Sequence, residues 1–337
     1  MRIGVTYDLR SDYLAMGYSA EETAEFDSEV TIAAICTALE GMGFAPVRIG
    51  GVKNLVEQLA RGERFDAVFN FCEGLRGNAR EAQVPALLDA YDIPYVFSDA
   101  LTLALALDKG MAKRVVRDAG VPTTDFRIIE KLADVKKVDL SFPLFLKPVQ
   151  EGSGKGVDAN SKVENARDLR KVASALLAKF QQPVLVESFL PGREFTVGII
   201  GTGDEAAVLG VSEIVPIANW VGDGYGFENK EEDWKERVSI VEADLENSRA
   251  AGAVALAAWR ALRCRDGGRI DIRCDESGKH HFIEVNPLAG LRPDHSDLCL
   301  IAANRGLTHR QLIGRIMAAF FKRHPELKIK PRTRVAA

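Results

Sequence analysis

The stretch GRIDIRCDESGKHHFIEVNP, residues 268–287, contains two strand-like runs separated by a polar turn. Alternate side chains of a strand share a face, so Arg269 and Asp271 lie together on the first run, and Glu284 and Asn286 on the second. If the runs pair in register, two carboxylates, a carboxamide and a guanidinium converge. Such oxygen ligands suit Mg²⁺, which completes its octahedron with phosphates and water. The alternative is an exposed hairpin whose polar side chains face water.

A glycine-rich segment, EGSGKG at residues 151–156, follows Lys147 closely. Its three glycines let backbone N–H groups approach phosphate oxygens, and Ser153 adds a hydroxyl. The segment lacks the Walker A pattern, and it does not follow the first strand as a dinucleotide-binding loop would. A plain hairpin turn would fit the same residues, but the strand lysine just upstream favours a site for nucleotide phosphates.

The segment PVLVESFLPGRE, residues 183–194, is an apolar strand that runs into Glu187 and reaches Glu194 seven residues later. Backbone amides of such a segment could read the edge of an adenine, while the carboxylates take the amino group and the ribose hydroxyls. By itself the segment fits a domain linker equally well.

The first third of the chain alternates strands with helices. Strands are predicted at residues 2–7, 44–49, 65–71 and 94–96, and helices at 29–42, 55–59 and 83–91. Such alternation predicts a parallel sheet, whose ligands bind at the carboxyl ends of its strands. The loop at residues 73–77, after the third strand, is therefore a candidate wall of the site.

The regular alternation of strands and helices does not continue in the remaining two thirds of the chain. Helices are predicted at residues 101–119, 165–180, 245–262 and 308–323, strands at 142–148, 183–187, 194–200, 206–214, 268–274 and 281–285, and a polar loop at 216–234. We interpret this order as three domains. They are an N-terminal α/β domain at 1–105, a central domain at 106–190 and a C-terminal domain at 191–327, followed by a basic tail at 328–337.

Composition excludes several classes of protein. The chain has 337 residues, of which 47% are hydrophobic, and a formal net charge of −4, so it offers no broad cationic surface to nucleic acid or anionic lipid. Its apolar runs, such as residues 101–107, are far below the ~18 residues of a membrane span. The five cysteines show no C-x-x-C spacing, and residues 1–7 resemble a strand more than a signal peptide. We therefore expect a cytoplasmic protein.

The order of the motifs resembles the ATP-grasp enzymes, and within them the D-alanine–D-alanine ligase family. The resembling segments are DK at 108–109, FPLFLKP at 142–148, EGS at 151–153, ExxLxGxEFTV at 187–197, GRID at 268–271 and EVNP at 284–287. In the first third, FNFCEGxxG at 69–77 and IPYxxS at 93–98 agree with the same family. The resemblance covers about Arg2 to His324 and implies an α/β (α+β) ATP-grasp fold, preceded by the parallel-sheet domain.

The resemblance also implies a role for each matching residue. For the phosphates of ATP, the resemblance implies Lys109, Lys147 and Lys230 as ligands, with Glu151 and Ser153 in the loop that covers them. It implies that Glu187 and the backbone of Phe189 and Leu190 contact the adenine, and that Glu194 contacts the ribose. For the reaction, it assigns Mg²⁺ (or Mn²⁺) to Asp271, Glu284 and Asn286, the acyl phosphate and tetrahedral intermediate to Arg269, and the acceptor carboxylate to His295 and Ser296. Ser153 and Glu29 are expected to assist Arg269 in catalysis.

Four departures concern the amino-acid pocket. Glu73 stands where the family usually has histidine, and Glu231 follows Lys230 where the family usually has the loop tyrosine. Residues 286–297 replace the usual Asn-Thr-Ser-Pro-Gly run, and the N-terminal substrate glutamate is best matched by Glu29. A changed polar pocket residue can shift substrate discrimination by orders of magnitude. The alternative for each change is a neutral substitution at the surface that does not alter which substrate binds.

Three hypotheses follow. The first is an amino-acid ligase that makes D-alanyl-D-alanine or a related dipeptide through an acyl phosphate. The second is a carboxylate–amine ligase of another biosynthetic pathway, with a larger or cationic substrate drawn in by Glu73 and Glu231. The third is a nucleotide-binding regulatory protein without turnover, against which the intact phosphate lysines and metal residues speak. By analogy we also expect a homodimer.

Overall fold

The computed structural model describes residues 1–230 and 234–327. Glu231 and the predicted basic tail, 328–337, lie outside the described residues. The described residues form two four-stranded sheets and one five-stranded sheet, each packed against helices. The mixed helix and sheet class expected from the sequence is confirmed.

The first sheet is parallel and belongs to the N-terminal third. Its strands are β1 (Arg2–Tyr7), β2 (Ala45–Gly50), β3 (Ala67–Phe71) and β4 (Tyr95–Val96). The helices of this region are α1 (Arg10–Ala15), α2 (Glu29–Gly41), α3 (Val52–Ala60), α4 (Gln83–Ala90) and α5 (Ala100–Leu107). The strand order is β2-β1-β3-β4, and every residue of β3 is buried, as expected for a central strand covered on both faces.

The continuous helix predicted at residues 101–119 is wrong. Helix α5 ends at Leu107, and α6 (Lys109–Asp118) begins after Asp108, whose backbone is extended with ψ 98°. The Asp108 side chain accepts a hydrogen bond from the backbone N–H of Met111, and aspartate is a favoured N-cap. The break places Lys109 in the first turn of α6, where its side chain is buried.

The second sheet is antiparallel. It contains β5 (Phe126–Ile129), β6 (Leu144–Pro148), β7 (Lys162–Val163) and β8 (Val184–Ser188), and α7 (Ala166–Phe180) packs on it. Leu169, Ala173 and Leu176 recur at helical spacing and bury one face of α7 in the core of this sheet. Strands β6 and β8 are neighbours in the order β5-β8-β6-β7. The motif segments at residues 142–148 and 183–194 therefore lie side by side.

The third sheet is also antiparallel, in the order β11-β10-β9-β12-β13. Its strands are β9 (Glu194–Ile200), β10 (Ala207–Pro216), β11 (Val238–Glu242), β12 (Gly267–Cys274) and β13 (His280–Asn286), and the helices are α8 (Leu245–Ala261), α9 (Asp297–Asn304) and α10 (His309–Arg323). Asp271 pairs with Glu284 across β12 and β13, and Arg269 pairs with Asn286. The in-register hairpin on which the magnesium prediction depends is confirmed.

The C-terminal helices complete the core of the first sheet. Ile32 and Ile35 of α2 belong to one buried cluster with Ile316 and Phe320 of α10, so apolar residues from both ends of the chain pack together. This core joins residues of the first and third predicted domains, and the three-domain division stays a prediction. Among the described helices, none combines the length and apolar character that a membrane crossing requires.

Candidate active site

Two cavities lie between the sheets, and every predicted site residue in the described part of the chain lines at least one of them. The first cavity is lined by Lys109, Lys147, Glu151, Glu187, Phe189, Leu190, Glu194, Lys230, Asp271 and Glu284, among others. The second cavity is lined by Glu29, Glu73, Lys109, Glu151, Ser153, Lys230, Arg269, Glu284, Asn286, His295 and Ser296, among others. The second is larger, at about 520 Å³ against about 80 Å³.

The two cavities meet along a shared wall. Lys109, Glu151, Tyr225, Lys230 and Glu284 line both cavities. These residues come from α6, the glycine-rich segment, the polar loop and β13, so tertiary structure alone brings them together. The predicted nucleotide residues therefore lie next to the predicted amino-acid residues, as transfer of a phosphoryl group between two ligands requires.

Buried charges alternate along the first cavity. The Lys147 ammonium lies 3.2 Å from Glu187 and 3.5 Å from Glu284, and the Lys109 ammonium lies 3.8 Å from Glu284. Burial alone would raise the pKa of Glu284, but the two ammonium groups hold that pKa well below its usual value. Burial opposes the charge of Lys147, yet the two carboxylates raise its pKa. Lys147 and Glu284 therefore stay charged. Burial lowers the pKa of Lys109, and Glu284 acts against that shift.

Lys113 is a member of this network that the sequence motifs did not reveal. Its side chain is fully buried, its ammonium lies 2.8 Å from Glu187, and it donates a hydrogen bond to the Thr123 hydroxyl. Burial would raise the pKa of Glu187, but Lys113 and Lys147 lower it to about 2. The signal was present in the sequence, because Lys113 follows Lys109 by four residues and therefore lies on the same face of α6.

Glu194, the predicted ribose residue, lies beside an arginine that was not predicted. The Arg273 guanidinium is 3.3 Å from the Glu194 carboxylate, and it also lies 5.1 Å from the centre of the Phe189 ring. Burial raises the pKa of Glu194. Arg273 follows Asp271 by two residues, so strand alternation could have placed it on the same face. Leu190, next to Phe189, is buried at the wall of the cavity.

The predicted magnesium residues fit a hard cation. Within the described ranges, no group of three or more His, Cys, Asp or Glu side chains is arranged to hold a metal. The predicted set has only two carboxylates, Asp271 and Glu284, and one carboxamide, which suits Mg²⁺ because that ion takes its remaining ligands from phosphates and water. The Asn286 amide nitrogen is buried without a hydrogen-bond partner in the described part of the chain. A bound phosphate or water would satisfy it.

The glycine-rich segment is held by an acidic residue from the N-terminal third. The Glu25 carboxylate accepts a hydrogen bond from the backbone N–H of Gly152, and it lies 3.0 Å from Arg80 and 3.4 Å from Lys155. Lys155 also pairs with Glu151. Opposite charges lower the pKa of Glu25, although burial acts in the other direction. The network ties the predicted phosphate lid to the second cavity. No sequence spacing could indicate it, because Glu25 and Gly152 are 127 residues apart.

Residues of the polar loop between β10 and β11 that the structure describes lie at both cavities. The Lys230 ammonium lies 4.4 Å above the centre of the Tyr225 ring, and both residues line both cavities. The Tyr225 hydroxyl donates a hydrogen bond of 3.4 Å to Asp297. The role of Lys230 as a phosphate ligand stays a prediction, and Glu231 falls outside the described residues.

The amino-acid side of the second cavity is acidic. Glu29 lines it, but the Glu29 side chain is 57% exposed and its carboxylate forms a 2.6 Å ion pair with Arg48. Glu73 lines the same wall with Asp27 and Glu81. Burial raises the pKa of Glu73, and it raises the pKa of Asp27 and of Glu81 to about 7. Neither Asp27 nor Glu81 was predicted, because no spacing rule distinguishes a cavity-facing carboxylate from a solvated one.

The predicted acceptor residues lie on the opposite side. His295 packs edge-on against Trp234 with 6.4 Å between the ring centres, and the Ser296 hydroxyl accepts a hydrogen bond from the backbone N–H of Arg292. Ser296 precedes the first residue of α9, so the N-terminus of that helix points at the cavity. Backbone N–H groups at a helix start attract anions such as a carboxylate.

Comparison with known proteins identifies the family of the chain. A family model described as D-ala D-ala ligase C-terminus matches residues 115–318, more than half of the chain. The D-alanine–D-alanine ligase of Bordetella petrii is 35% identical over 78% of this chain and 77% of its own length. The corresponding ligase of Alcanivorax borkumensis is 32% identical over 90% of this chain and 91% of its own length.

A solved structure agrees as well. The D-alanine–D-alanine ligase from Bacillus anthracis complexed with ATP superposes with a TM-score of 0.72 at 21% identity, and it covers 97% of this chain and all of its own. At that identity the likeness establishes the fold, and the predicted ATP-grasp fold is confirmed. The family model and the curated relatives establish the kinship. The chain belongs to the D-alanine–D-alanine ligase family, whose members are ATP-dependent ligases that form a peptide bond.

Proposed function

We propose that this chain uses ATP to phosphorylate the carboxylate of one amino acid and joins the resulting acyl phosphate to the amine of a second, with D-alanine as the first candidate for both. The shared wall of the two cavities carries the proposal. Glu284, Lys109 and Lys230 line the nucleotide side and the amino-acid side together, so a terminal phosphate in the first cavity would face a carboxylate in the second.

The first cavity is proposed to bind ATP. Glu187 and the backbone of Phe189 and Leu190 would contact the adenine, and Glu194 the ribose. Lys109, Lys147 and Lys230 supply positive charge along the phosphates, and the N–H groups of the glycine-rich segment with Glu151 and Ser153 would cover them. The buried lysines support this assignment, because ammonium groups held in place by carboxylates need no reorganisation when phosphate arrives.

Asp271, Glu284 and Asn286 are proposed to hold Mg²⁺, or Mn²⁺ in its place. When bound, the cation supplies neutralising charge to the phosphates. Both carboxylates already have cationic neighbours, since Arg269 pairs with Asp271 and Lys147 with Glu284. Lys109 and Lys147 hold the pKa of Glu284 below its ordinary value although burial would raise it, so this carboxylate keeps the ionised form that coordinates a metal.

The reaction needs an electrophile, because a carboxylate resists attack by an amine. Lys109 and Lys230 would neutralise the transferring phosphoryl group, and Arg269 would donate hydrogen bonds to the oxygens that become negative when the amine attacks. The polar loop and the glycine-rich segment exclude water, which would otherwise hydrolyse the acyl phosphate. His295 and Ser296, at the start of α9, are placed to hold the carboxylate of the second amino acid.

A second candidate is a ligase that acts on a cationic amino acid. The observation that favours it is the acidic wall of the second cavity, formed by Asp27, Glu73 and Glu81 with Glu29 at its rim. Burial raises the pKa of Glu73 and of Glu81, although the nearby Arg80 acts in the other direction. A second amino group or a guanidinium on the substrate would stabilise the ionised form of these carboxyl groups. D-alanine has no such group.

Release of phosphate from ATP and Mg²⁺ tests the proposal, measured across D- and L-amino acids with neutral and cationic side chains. D-alanine alone should stimulate release and yield a dipeptide by mass spectrometry. Stimulation by cationic amino acids, and not by D-alanine, would select the second candidate. Absence of stimulated release across the whole panel would refute both.

Two wider expectations are proposals of the same kind. We propose that the chain acts in the cytoplasm, where ATP and amino acids are available, and that it forms a homodimer. Sedimentation equilibrium of the purified chain tests the second expectation, and a mass equal to one chain would contradict it.

A further inference from the structure

Asp297, the first residue of α9, faces the guanidinium of Arg269. Its carboxylate lies 3.6 Å from Arg269 Nε, and the two side chains are only 10% and 11% exposed. Asp297 also lines the second cavity. Neither the motifs nor the metal prediction gave this residue a role.

Two carboxylates thus hold Arg269 from two sides. Its Nη1 group donates to Asp271 on the same strand, and its Nε group faces Asp297. The guanidinium is planar and rigid, so contacts at two of its nitrogens fix the direction of the third. Within the described ranges, Nη2 has no hydrogen-bond partner in the protein and can donate to a substrate oxygen.

The other oxygen of Asp297 contacts the polar loop. It accepts a hydrogen bond of 3.4 Å from the Tyr225 hydroxyl. Tyr225 is also stacked on Trp220, with 6.2 Å between the ring centres, and it carries Lys230 above its ring. One carboxylate therefore connects the loop that covers the cavities with the arginine that faces the substrate.

We propose that Asp297 is a positioning residue that couples closure of the polar loop to the orientation of Arg269. The proposal rests on the proposed function and deepens it. With the loop closed, Tyr225 holds Asp297, and Asp297 holds Arg269 toward the reacting oxygens. When the loop opens, Asp297 loses the hydrogen bond from Tyr225, and the orientation of the Arg269 guanidinium is less constrained. The arginine then acts fully only while water is excluded.

The test compares Asp297→Asn, which keeps the shape and removes the charge, with Tyr225→Phe, which removes one hydroxyl. The matched control is Asp294→Asn, an exposed aspartate three residues earlier in the chain. A misplaced catalytic group can cost about 100-fold in rate. We expect Asp297→Asn to lower kcat by about 10- to 100-fold while the KM for ATP changes by less than about threefold. The control should match the wild type.

Two readouts separate positioning from a merely structural role. Phosphate released per amide formed should rise in Asp297→Asn, because a misplaced Arg269 leaves the acyl phosphate to water. The double variant with Tyr225→Phe should be no slower than Asp297→Asn alone, since both changes break one connection. An unchanged kcat and phosphate-to-amide ratio in Asp297→Asn would overturn the proposal, as would effects of the two changes that simply multiply.

Hydrogen exchange keeps the inference independent of the proposed function. Exchange of backbone amides in residues 217–230, measured on the full chain with ATP and Mg²⁺, should be faster in Asp297→Asn and in Tyr225→Phe than in the Asp294→Asn control. This measurement needs no turnover. If the wild type released no phosphate with any amino acid, the proposed function would be refuted. The coupling between the loop and Asp297 would be refuted only if hydrogen exchange in Asp297→Asn and Tyr225→Phe matched that of the control.

Discussion

The ammonium group of Lys113 lies 2.8 Å from the carboxylate of Glu187, and both side chains are buried. The other oxygen of Glu187 contacts Lys147, which in turn contacts Glu284. The charges therefore alternate from α6, through the second sheet, to the hairpin of the third sheet. Because a buried charge without its partner is costly, each member fixes the next, and the network shapes the wall of the first cavity.

Removing Lys113 should affect both stability and nucleotide binding. In Lys113→Met, Glu187 keeps only Lys147 as a cationic partner, and breaking a buried pair costs about 3–5 kcal/mol. Urea denaturation should show that loss in the free energy of unfolding, and the KM for ATP should rise. Lys171→Met, a change at an exposed lysine of α7, is the control. Equal stability of the two variants would contradict the buried network.

Removing the charge of Glu25 should loosen the glycine-rich segment. In Glu25→Gln, Arg80 and Lys155 lose a buried carboxylate, so the segment should cover ATP less well. We expect a rise of about tenfold in the KM for ATP, measured by phosphate release, since loss of a charged hydrogen bond costs about 1.5–3 kcal/mol. Glu21→Gln breaks only the exposed pair with Lys179 and should change little. A similar KM in both variants would refute the lid contact.

The pH dependence of stability should carry the signature of Glu81. Burial raises the pKa of this carboxyl from 4.5 to about 7, so between these values the folded state keeps a proton that the unfolded state has lost. The free energy of unfolding therefore falls as pH rises through this window, by at most on the order of 3 kcal/mol. Urea denaturation from pH 4 to 8 should show a flatter profile for Glu81→Gln. Parallel profiles would show that the pKa is not raised.

Asp27 and Glu29 offer a matched pair on the substrate wall. The carboxylate of Glu29 is exposed and paired with Arg48, whereas that of Asp27 is desolvated at the second cavity. We expect Asp27→Asn to lower kcat/KM for the first amino acid by at least about tenfold, as loss of a hydrogen bond to a charged group would. Glu29→Gln should cost less than about threefold. The reverse order would support Glu29, which the sequence had favoured.

The metal assignment predicts loss of activity without loss of the fold. Asp271→Asn and Glu284→Gln keep the size of each side chain but remove a charged Mg²⁺ ligand. Phosphate release should fall by at least about 100-fold, and more Mg²⁺ should be needed for half-maximal activity. Circular dichroism should match the wild type. Glu276→Gln, an exposed carboxylate in the turn between β12 and β13, is the control. Retained turnover in either variant would refute the assignment.

Elements with a strong local signal were predictable. The β12–β13 hairpin was predicted with its facing residues, because alternation of side chains is a property of the strand itself and needs no tertiary contact. The parallel first sheet followed from regular alternation of strands and helices. Strands β5, β7 and β11 and helices α1 and α9 were not predicted, because they are short and take their stability from neighbours. The helix break at Asp108 was missed, since Leu107 and Lys109 both suit a helix.

The sequence by itself determined the chemistry of activation. Lys109, Lys147, Glu187, Asp271 and Glu284 were identified in order along the chain, and all line the first cavity. These residues lie within strands, at a helix start or beside glycines, where local geometry constrains the side chain. The predicted metal pair, Asp271 and Glu284, could be proposed from the sequence because both residues lie in one hairpin.

Only the tertiary structure decided which other groups face those residues. Glu25 reaches Gly152 across 127 residues, and Asp297 reaches Arg269 and Tyr225 from a helix that the pattern did not predict. Such contacts depend on how separate sheets pack, and packing leaves no periodic trace in the chain. Burial is equally non-local, and it sets the charge state of Glu81. The substrate wall is made almost entirely of these long-range contacts, so the sequence indicated how a carboxylate is activated and left open which carboxylate it is.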